Sequence, residues 1–250
     1  MAVDLPNSGG GTTNYIRVAT TPITGYPYTL HIRFNADSVA DAEDSGGLIG
    51  LYDISDPRER VLMYCGLGGD AALKGYFDHG SANVLISTGT ITAGTWYSAV
   101  LTEASSTSHA IWLNNSGTSD ATSMTFSAGI DTLTCGRWDD STPQFGFNGK
   151  LAEGAAWNVE LTSAERQMLA DGVSPLLVRP GSLRYYMPHV VAGVTRGYFG
   201  NAITEAGTVT TSAHPRTIYP PNVIAVEFAA AAASGVAPRA WHHLRNMHAA

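Results

Sequence analysis

The chain has 250 residues, a formal net charge of −7 and 14% charged residues, well below the roughly 25% of an average soluble domain. Hydrophobic residues make up 44% of the chain, which excludes an intrinsically disordered protein. No uncharged apolar stretch reaches the ~20 residues that a membrane-spanning helix needs. Residues 1–4 have neither the basic nor the apolar part of a secretion signal. The composition therefore predicts a globular protein that does not enter a membrane.

Charge is distributed unevenly along the chain. Residues 1–172 hold 8 basic and 19 acidic side chains, a net charge of −11, whereas residues 173–250 hold 6 Arg and 2 Glu, a net charge of +4. A basic C-terminal part can dock on an acidic neighbour or fold back on its own acidic body, and charge alone leaves both open. The Arg residues are scattered singly, so we expect no nucleic-acid binding.

Most of the chain alternates apolar and polar residues with a period of two. In residues 28–34, Tyr28, Leu30, Ile32 and Phe34 fall on one face of a strand. The same pattern, or a short apolar run, predicts further strands at residues 14–19, 47–52, 61–66, 73–78, 83–87, 96–102, 109–114, 132–137 and 145–157. Turns rich in Gly, Asp and Asn separate these segments. The order predicts an all-β fold, an antiparallel sandwich of two sheets.

One short helix is predicted after the last of these strands. Thr162 and Glu165 have the spacing of a capping box, in which each side chain accepts a hydrogen bond from the other residue's backbone. Met168 and Leu169 belong to an apolar stripe that can dock on a sheet. Gly172 is placed to end the helix in a left-handed conformation.

The composition changes after residue 172, because proline punctuates the remainder. Residues 173–222 predict a small β or irregular annex, with strands at 183–187 and 208–211. Residues 223–250 predict a C-terminal tail that is partly helical, although a Val-Ile-Ala-Val run near its start also favours a strand. The sequence thus divides into a sandwich at 1–172, the annex and the tail.

Two segments of the sandwich carry a family pattern. Residues 94–102 and 109–115 form a strand pair that begins at a Gly-Thr-Trp turn and ends at an Asn-Asn hairpin. Residues 147–162 form a strand that runs into an L-T-x-x-E helix start. Both resemble the laminin-G-like branch of the concanavalin-A-like lectin and glucanase sandwiches, over residues 14–172. The resemblance implies a two-sheet jelly roll, a fold that hosts lectins, adhesion modules, hydrolases and virion proteins.

The C-terminal part carries a second resemblance. Its runs Gly-Ser-Leu-Arg-Tyr-Tyr at 181–186 and His-Pro-Arg-Thr-Ile-Tyr-Pro at 214–220 are similar to the C-terminal extension of laminin-G-like proteins encoded by bacteriophages and prophages. This likeness implies a virion protein that is assembled in the bacterial cytoplasm.

Signatures of catalysis are missing from the sequence. The glucanases of this superfamily carry two carboxylates in an E-x-D-x-x-E string, which does not occur here. A G-x-S-x-G elbow, a phosphate loop and a dinucleotide fingerprint are absent as well. We therefore expect no enzymatic activity and no cofactor. The resemblance to laminin-G-like domains leaves a structural calcium ion open at two loops, which contain Asp37, Asp41, Glu43 and Asp44 in one case and Asp139 and Asp140 in the other.

Trp138 is the candidate platform for a sugar ring. With Asp139 and Asp140 beside it, an exposed indole would combine an apolar face with hydrogen-bond acceptors, as sugar recognition requires. The alternative is a Trp at the rim of the sandwich that covers a loop. Cys65 and Cys135 lie in strand-like segments, which favours buried thiols but leaves one disulfide open.

The sequence supports two functions. The first is a non-enzymatic bacteriophage virion protein, part of a capsid, tail or fibre, that is attached to other subunits or to its own copies by the tail. The tail offers Trp and Arg, which are favoured in interfaces. Its candidate interface residues are Arg239, Trp241, His242, His243 and Arg245. The alternative is a carbohydrate-binding adhesion module that contacts glycans on a host surface.

Overall fold

Two antiparallel sheets form the body of the molecule. A computed structural model describes residues 2–7, 11–39, 46–56, 58–66, 70–80, 82–140, 143–188 and 196–219. The strands are β1 (Ala2–Leu5), β2 (Tyr15–Val18), β3 (Tyr28–Ala36), β4 (Gly47–Tyr52), β5 (Glu59–Cys65), β6 (Ala72–His79), β7 (Asn83–Thr90), β8 (Tyr97–Ser105), β9 (Ser108–Leu113), β10 (Ser116–Asp120), β11 (Thr132–Cys135), β12 (Gly149–Trp157), β13 (Leu183–Met187), β14 (Ile203–Ala206) and β15 (Thr210–Ser212). One helix, α1 (Ser163–Ala170), follows β12.

The strand order is that of a sandwich. Sheet A has the order β10-β9-β8-β3-β12-β1-β15, and β13 pairs with the C-terminal half of β12 beside β1. Sheet B has the order β14-β2-β11-β4-β5-β6-β7. All of these pairings are antiparallel. The all-β, two-sheet jelly roll with one short docked helix is confirmed.

The core lies between the two sheets. Tyr28, Leu30, Ile32 and Phe34 of β3 are fully buried there, as the alternation predicts. Burial of each such side chain stabilises the fold by about 1.5–3 kcal/mol. Three strands are missing from the sequence prediction, β1 and β10 in the sandwich and β14 in the annex. β10 follows a two-residue turn, Asn114-Asn115, in which both φ angles are positive, 49° and 65°. Such angles are typical of the type I′ hairpin turn, whose twist matches that of the two strands it joins.

α1 forms with the predicted caps. Thr162 Oγ1 accepts from the backbone N–H of Glu165 at 3.3 Å, and Glu165 Oε2 accepts from that of Thr162 at 2.8 Å. Gly172 has φ +89°, and a Cβ there would lie 2.8 Å from the Arg216 carbonyl oxygen. The apolar stripe is narrower than predicted, because Leu169 is buried but Met168 is 37% exposed.

The described part of the annex adds strands to both sheets. The strand predicted at 183–187 is β13, in sheet A. The strand predicted at 208–211 lies at 210–212 as β15, and β14 was not predicted. With α1, residues 173–187 cover part of the outer face of sheet A, where Trp157 packs against Val178 and Leu183. The tail, residues 223–250, lies outside the described residues.

Both cysteines are buried as free thiols, so the first of the two alternatives holds. Burial raises the pKa of Cys65 to about 12 and also raises the pKa of Cys135. Within the described part of the chain, no helix has the length and apolar character needed to cross a membrane.

Candidate functional site

The outer face of sheet B carries a cluster of aromatic and charged side chains. Val61, Met63 and Cys65 of β5 point into the core, so the alternation of the strand turns Arg60 and Tyr64 outward. On β6, Tyr76 lies on the same outer face, because it pairs with Leu62 in the register. Trp138, Asp139 and Asp140, which follow β11, contact side chains of this face.

Trp138 is at the centre of the cluster. Its indole ring lies 5.7 Å from the ring of Tyr64 and 5.5 Å from the ring of Tyr76, measured between centroids. The guanidinium carbon of Arg60 lies 4.6 Å from the Trp138 centroid and 5.2 Å from that of Tyr76. Cation–π contacts of this kind contribute about 0.5–2 kcal/mol each, depending on exposure. We call Arg60, Tyr64, Tyr76, Trp138 and Asp140 the Arg60 cluster.

Asp140 fixes the two flat groups of this cluster relative to each other. Its Oδ2 accepts from Trp138 Nε1 at 2.9 Å and also pairs with Arg60 Nη1. Asp78 of β6 lies 4.0 Å from Arg60 Nη2. Arg60 is therefore held in one orientation by two carboxylates and two rings.

A second ionic group lies beside the first. Asp139 accepts from Arg17 at 2.6 and 2.7 Å, from Arg137 at 2.6 and 3.0 Å and from Thr134 Oγ1 at 2.6 Å. Burial raises the pKa of Asp139, but hydrogen bonds from Arg17 and Thr134 and the charge of Arg137 outweigh this effect and lower it overall. The guanidinium of Arg137 stacks 3.5 Å from the centroid of Tyr15. Asp139 thus joins β2, β11 and the following loop.

The accessible part of this face includes one aromatic and one aliphatic side chain. Tyr76 is half-buried, and its cross-strand partner Leu85 on β7 is 57% exposed. The Tyr76 hydroxyl donates to Asp78 at 3.3 Å. A half-buried ring beside hydrogen-bonding groups that are already oriented is suited to a ligand with both apolar faces and hydroxyl groups.

The structure brings the predicted residues Trp138, Asp139 and Asp140 to this face, but not as an exposed platform. Trp138 is only 8% exposed, so of the two alternatives the structure shows the Trp that covers a loop. Asp139 and Asp140 are buried and engage guanidinium groups. The loop with Asp139 and Asp140 was one of the two candidate calcium sites. The guanidinium groups that pair with these carboxylates would repel a calcium ion there.

Arg60 and Tyr76 were missed by the sequence analysis. Their signal is the period-two pattern of β5 and β6, which places them on the same side of neighbouring strands. Reading that pattern requires the strand pairing, since Arg60 and Tyr76 are 16 positions apart in the sequence.

Other predicted residues lie outside the described residues. They are Asp41, Glu43 and Asp44 of the first calcium candidate loop, and Arg239, Trp241, His242, His243 and Arg245 of the tail. Asp37 is described and pairs with Lys150. The described residues contain no group of three or more His, Cys, Asp or Glu side chains arranged to hold a metal ion.

A further polar cluster is enclosed between the sheets. Glu103 is fully buried and bonds with Tyr28, with His79 Nε2 at 3.1 Å and with His109 Nδ1 at 2.5 Å. Burial raises the pKa of Glu103, but the hydrogen bonds from His109 and His79 lower it overall. This cluster joins β3, β8 and β9 of sheet A to β6 of sheet B, and its burial separates it from solvent.

Solved structures share this fold at low sequence identity. A heptameric SAP-like pentraxin from Limulus polyphemus matches with a TM-score of 0.57 and 16% identity, over 85% of this chain and 94% of that one. A candidate carbohydrate-binding protein from Bacteroides ovatus matches with a TM-score of 0.59 and 19% identity, over 85% and 60%. The enzymatically active domain of tailspike protein 2 from bacteriophage CBA120 matches with a TM-score of 0.55 and 11% identity, over 74% and 29%.

The chain has the jelly-roll sandwich fold. At these identities the likeness extends to the fold alone. No family model matches the chain, and no curated protein matches it. The chain spans less than two thirds of the Bacteroides protein and of the tailspike.

Proposed function

We propose that this protein is a non-enzymatic carbohydrate-binding module whose binding face is the outer face of sheet B. The observation that supports it best is the Arg60 cluster, in which Trp138 and two carboxylates hold Arg60 against the half-buried ring of Tyr76. Sugar-binding surfaces combine an aromatic ring with a few fixed polar groups, because sugars present C–H faces and hydroxyls.

The two faces of the sandwich differ in a way that favours this choice. Part of the outer face of sheet A is covered by α1 and by Val178, Leu183 and Tyr186 of the annex. On sheet B, Leu85 is 57% exposed and its cross-strand partner Tyr76 is half-buried. A glycan chain lying across β5, β6 and β7 meets that pair first.

The absence of catalysis is part of the proposal. Glycoside hydrolysis needs two carboxylates on either side of the scissile bond. Asp139 and Asp140 are each engaged by guanidinium groups, and Glu103 is enclosed between the sheets. These carboxylates hold other side chains in place, and the proposed role of the face is binding.

A glycan array tests the proposal. The wild-type chain is expected to bind a defined set of glycans, and Tyr76→Ala to bind them about 3- to 10-fold more weakly, as expected for the loss of one aromatic contact. Tyr198→Ala is the matched control, because Tyr198 is 45% exposed on the annex and lies outside the proposed face. Absence of binding by the wild type, or equal losses in both variants, would contradict the proposal.

A second candidate function is the virion structural protein that the sequence indicates, a capsid, tail or fibre component attached by residues 223–250. The annex supports this candidate, since its Arg179, Arg184, Arg196 and Arg216 are all exposed. The annex also exposes large apolar side chains. These are Leu177, Tyr198, Phe199, Ile218 and Tyr219, with exposures of 38–50%. Arg and aromatic side chains are favoured in interfaces.

Truncation after residue 222 tests the second candidate. The truncated chain is expected to fold with the same unfolding midpoint but to lose incorporation into particles, because the described residues already pair β13, β14 and β15 with the body. Normal incorporation of a folded truncated chain would exclude attachment through the tail. The two functions are compatible, since one uses sheet B and the other the C-terminal end.

A further inference from the structure

We infer that the face of sheet B selects a neutral saccharide, one that carries no carboxylate, sulfate or phosphate group. This inference rests on the proposed function and specifies its ligand class. It follows from the charge state of the face, because recognition of an acidic sugar needs cationic or N–H donors that are free to pair with it.

Among the described residues, the four cations that β2, β5, β6 and the segment after β11 place on this face are all paired. Ion pairs join Arg17 and Arg137 to Asp139, with N–O distances of 2.6 Å in both cases, and Lys74 to Asp70, with an N–O distance of 3.2 Å. Arg60 pairs with Asp140 and lies 4.0 Å from Asp78. The side chains of these four cations, Arg17, Arg60, Lys74 and Arg137, are only 24%, 15%, 13% and 9% exposed.

An acidic ligand would therefore have to displace a protein carboxylate. If the ligand paired with the guanidinium, the displaced protein carboxylate would stay largely buried without a partner, which is strongly unfavourable. A hydroxyl group does not require this exchange. It can accept from an N–H that remains in an ion pair, or donate to a carboxylate oxygen that has a free lone pair.

The surrounding field has the same sign as an acidic glycan. Five carboxylates lie close to these four cations, Asp70, Asp78, Asp131, Asp139 and Asp140. Residues 1–172 carry a net charge of −11, and the masked loops within them contain no Lys or Arg in the sequence. Arg58 is exposed at the β4–β5 turn, with Asp56 and Glu59 beside it. An acidic surface of this kind lowers the local concentration of polyanions.

The test uses the full chain on matched pairs of glycans, the same oligosaccharide with and without a terminal sialic acid or a sulfate group. We expect the neutral member of each bound pair to bind at least about tenfold more tightly. Affinity for it should change less than about twofold between 50 and 500 mM NaCl, because no ion pair is formed. Preference for the acidic members, or steep loss of binding with salt, overturns the inference.

Two variants separate the inference from the proposed function. Asp140→Asn removes a carboxylate partner of Arg60 and should move preference toward the sialylated members, whereas Asp171→Asn, exposed at the end of α1, should not. If acidic glycans are preferred and Tyr76→Ala weakens their binding, the face binds sugars but the inference of a neutral ligand is wrong. If no glycan binds, the proposed function fails. The wild-type comparison decides the ligand class even if Asp140→Asn does not fold.

Discussion

His31 makes the stability of this fold dependent on pH in a direction that the structure fixes. The imidazole is buried on the outer side of β3, with Nδ1 3.0 Å from the carbonyl oxygen of Glu153 and Nε2 3.2 Å from Ser98 Oγ. A carbonyl oxygen can only accept, so Nδ1 carries the proton and Nε2 accepts from the hydroxyl. Burial, together with the charge of Arg33, lowers the pKa of His31 to about 3.

The size of the effect follows from the two pKa values. Below its unfolded pKa of about 6.5, the unfolded chain binds a proton at His31, whereas the folded chain stays neutral until about pH 3. Stability therefore falls as the pH falls. Between pH 7 and pH 5, His31 alone should lower the free energy of unfolding by about 2 kcal/mol.

Urea unfolding of the wild type and His31→Gln at pH 7 and pH 5 measures this term. Other groups titrate in the same range, so the quantity to compare is the loss of stability on acidification. It should be about 2 kcal/mol smaller in His31→Gln. Burial lowers the pKa of His109, but pairing with Glu103 raises it overall. His109→Gln is thus an opposite control that should increase the loss. Equal losses of stability in the wild type and His31→Gln would refute the conclusion that His31 is buried and neutral.

Three further predictions test other parts of the structure. Asp139→Ala leaves Arg17 and a second guanidinium without their shared carboxylate, so it should lower the free energy of unfolding by about 3–5 kcal/mol; a loss below about 1 kcal/mol in urea unfolding would contradict the described network. Glu165→Ala removes one half of the capping box and should cost about 1 kcal/mol, seen as a lower melting temperature; an unchanged melt would contradict the cap. Cys65 and Cys135 should not react with a thiol reagent at pH 8 until urea unfolds the chain, because both are buried and their pKa values are raised; rapid labelling of the native chain would contradict their burial.

The sequence predicts the parts of the fold in which local pattern and packing agree. Strand β3 alternates strictly and turns its apolar side chains into the core, and α1 has both residues of its capping box. β10 was missed because its residues are Ser, Gly, Thr, Ser and Asp, which carry no apolar alternation. It is a strand because a tight turn returns the chain beside β9.

The site was predicted only in part, for a physical reason. Trp138, Asp139 and Asp140 are adjacent in sequence, so the local composition was visible. Their exposure was not, because it depends on Arg60 and Arg17, which arrive from other strands. A carboxylate next to a turn looks solvated in a sequence and becomes buried once a guanidinium from a neighbouring strand pairs with it.

The most direct test of the proposed binding face is a crystal structure of the full chain with the neutral oligosaccharide that binds most tightly on the array. We expect the sugar on the outer face of sheet B, with a ring against Tyr76 and hydroxyl groups within hydrogen-bond distance of Arg60 or Asp78. A sugar bound on the annex, at an edge of the sandwich or against sheet A would contradict it.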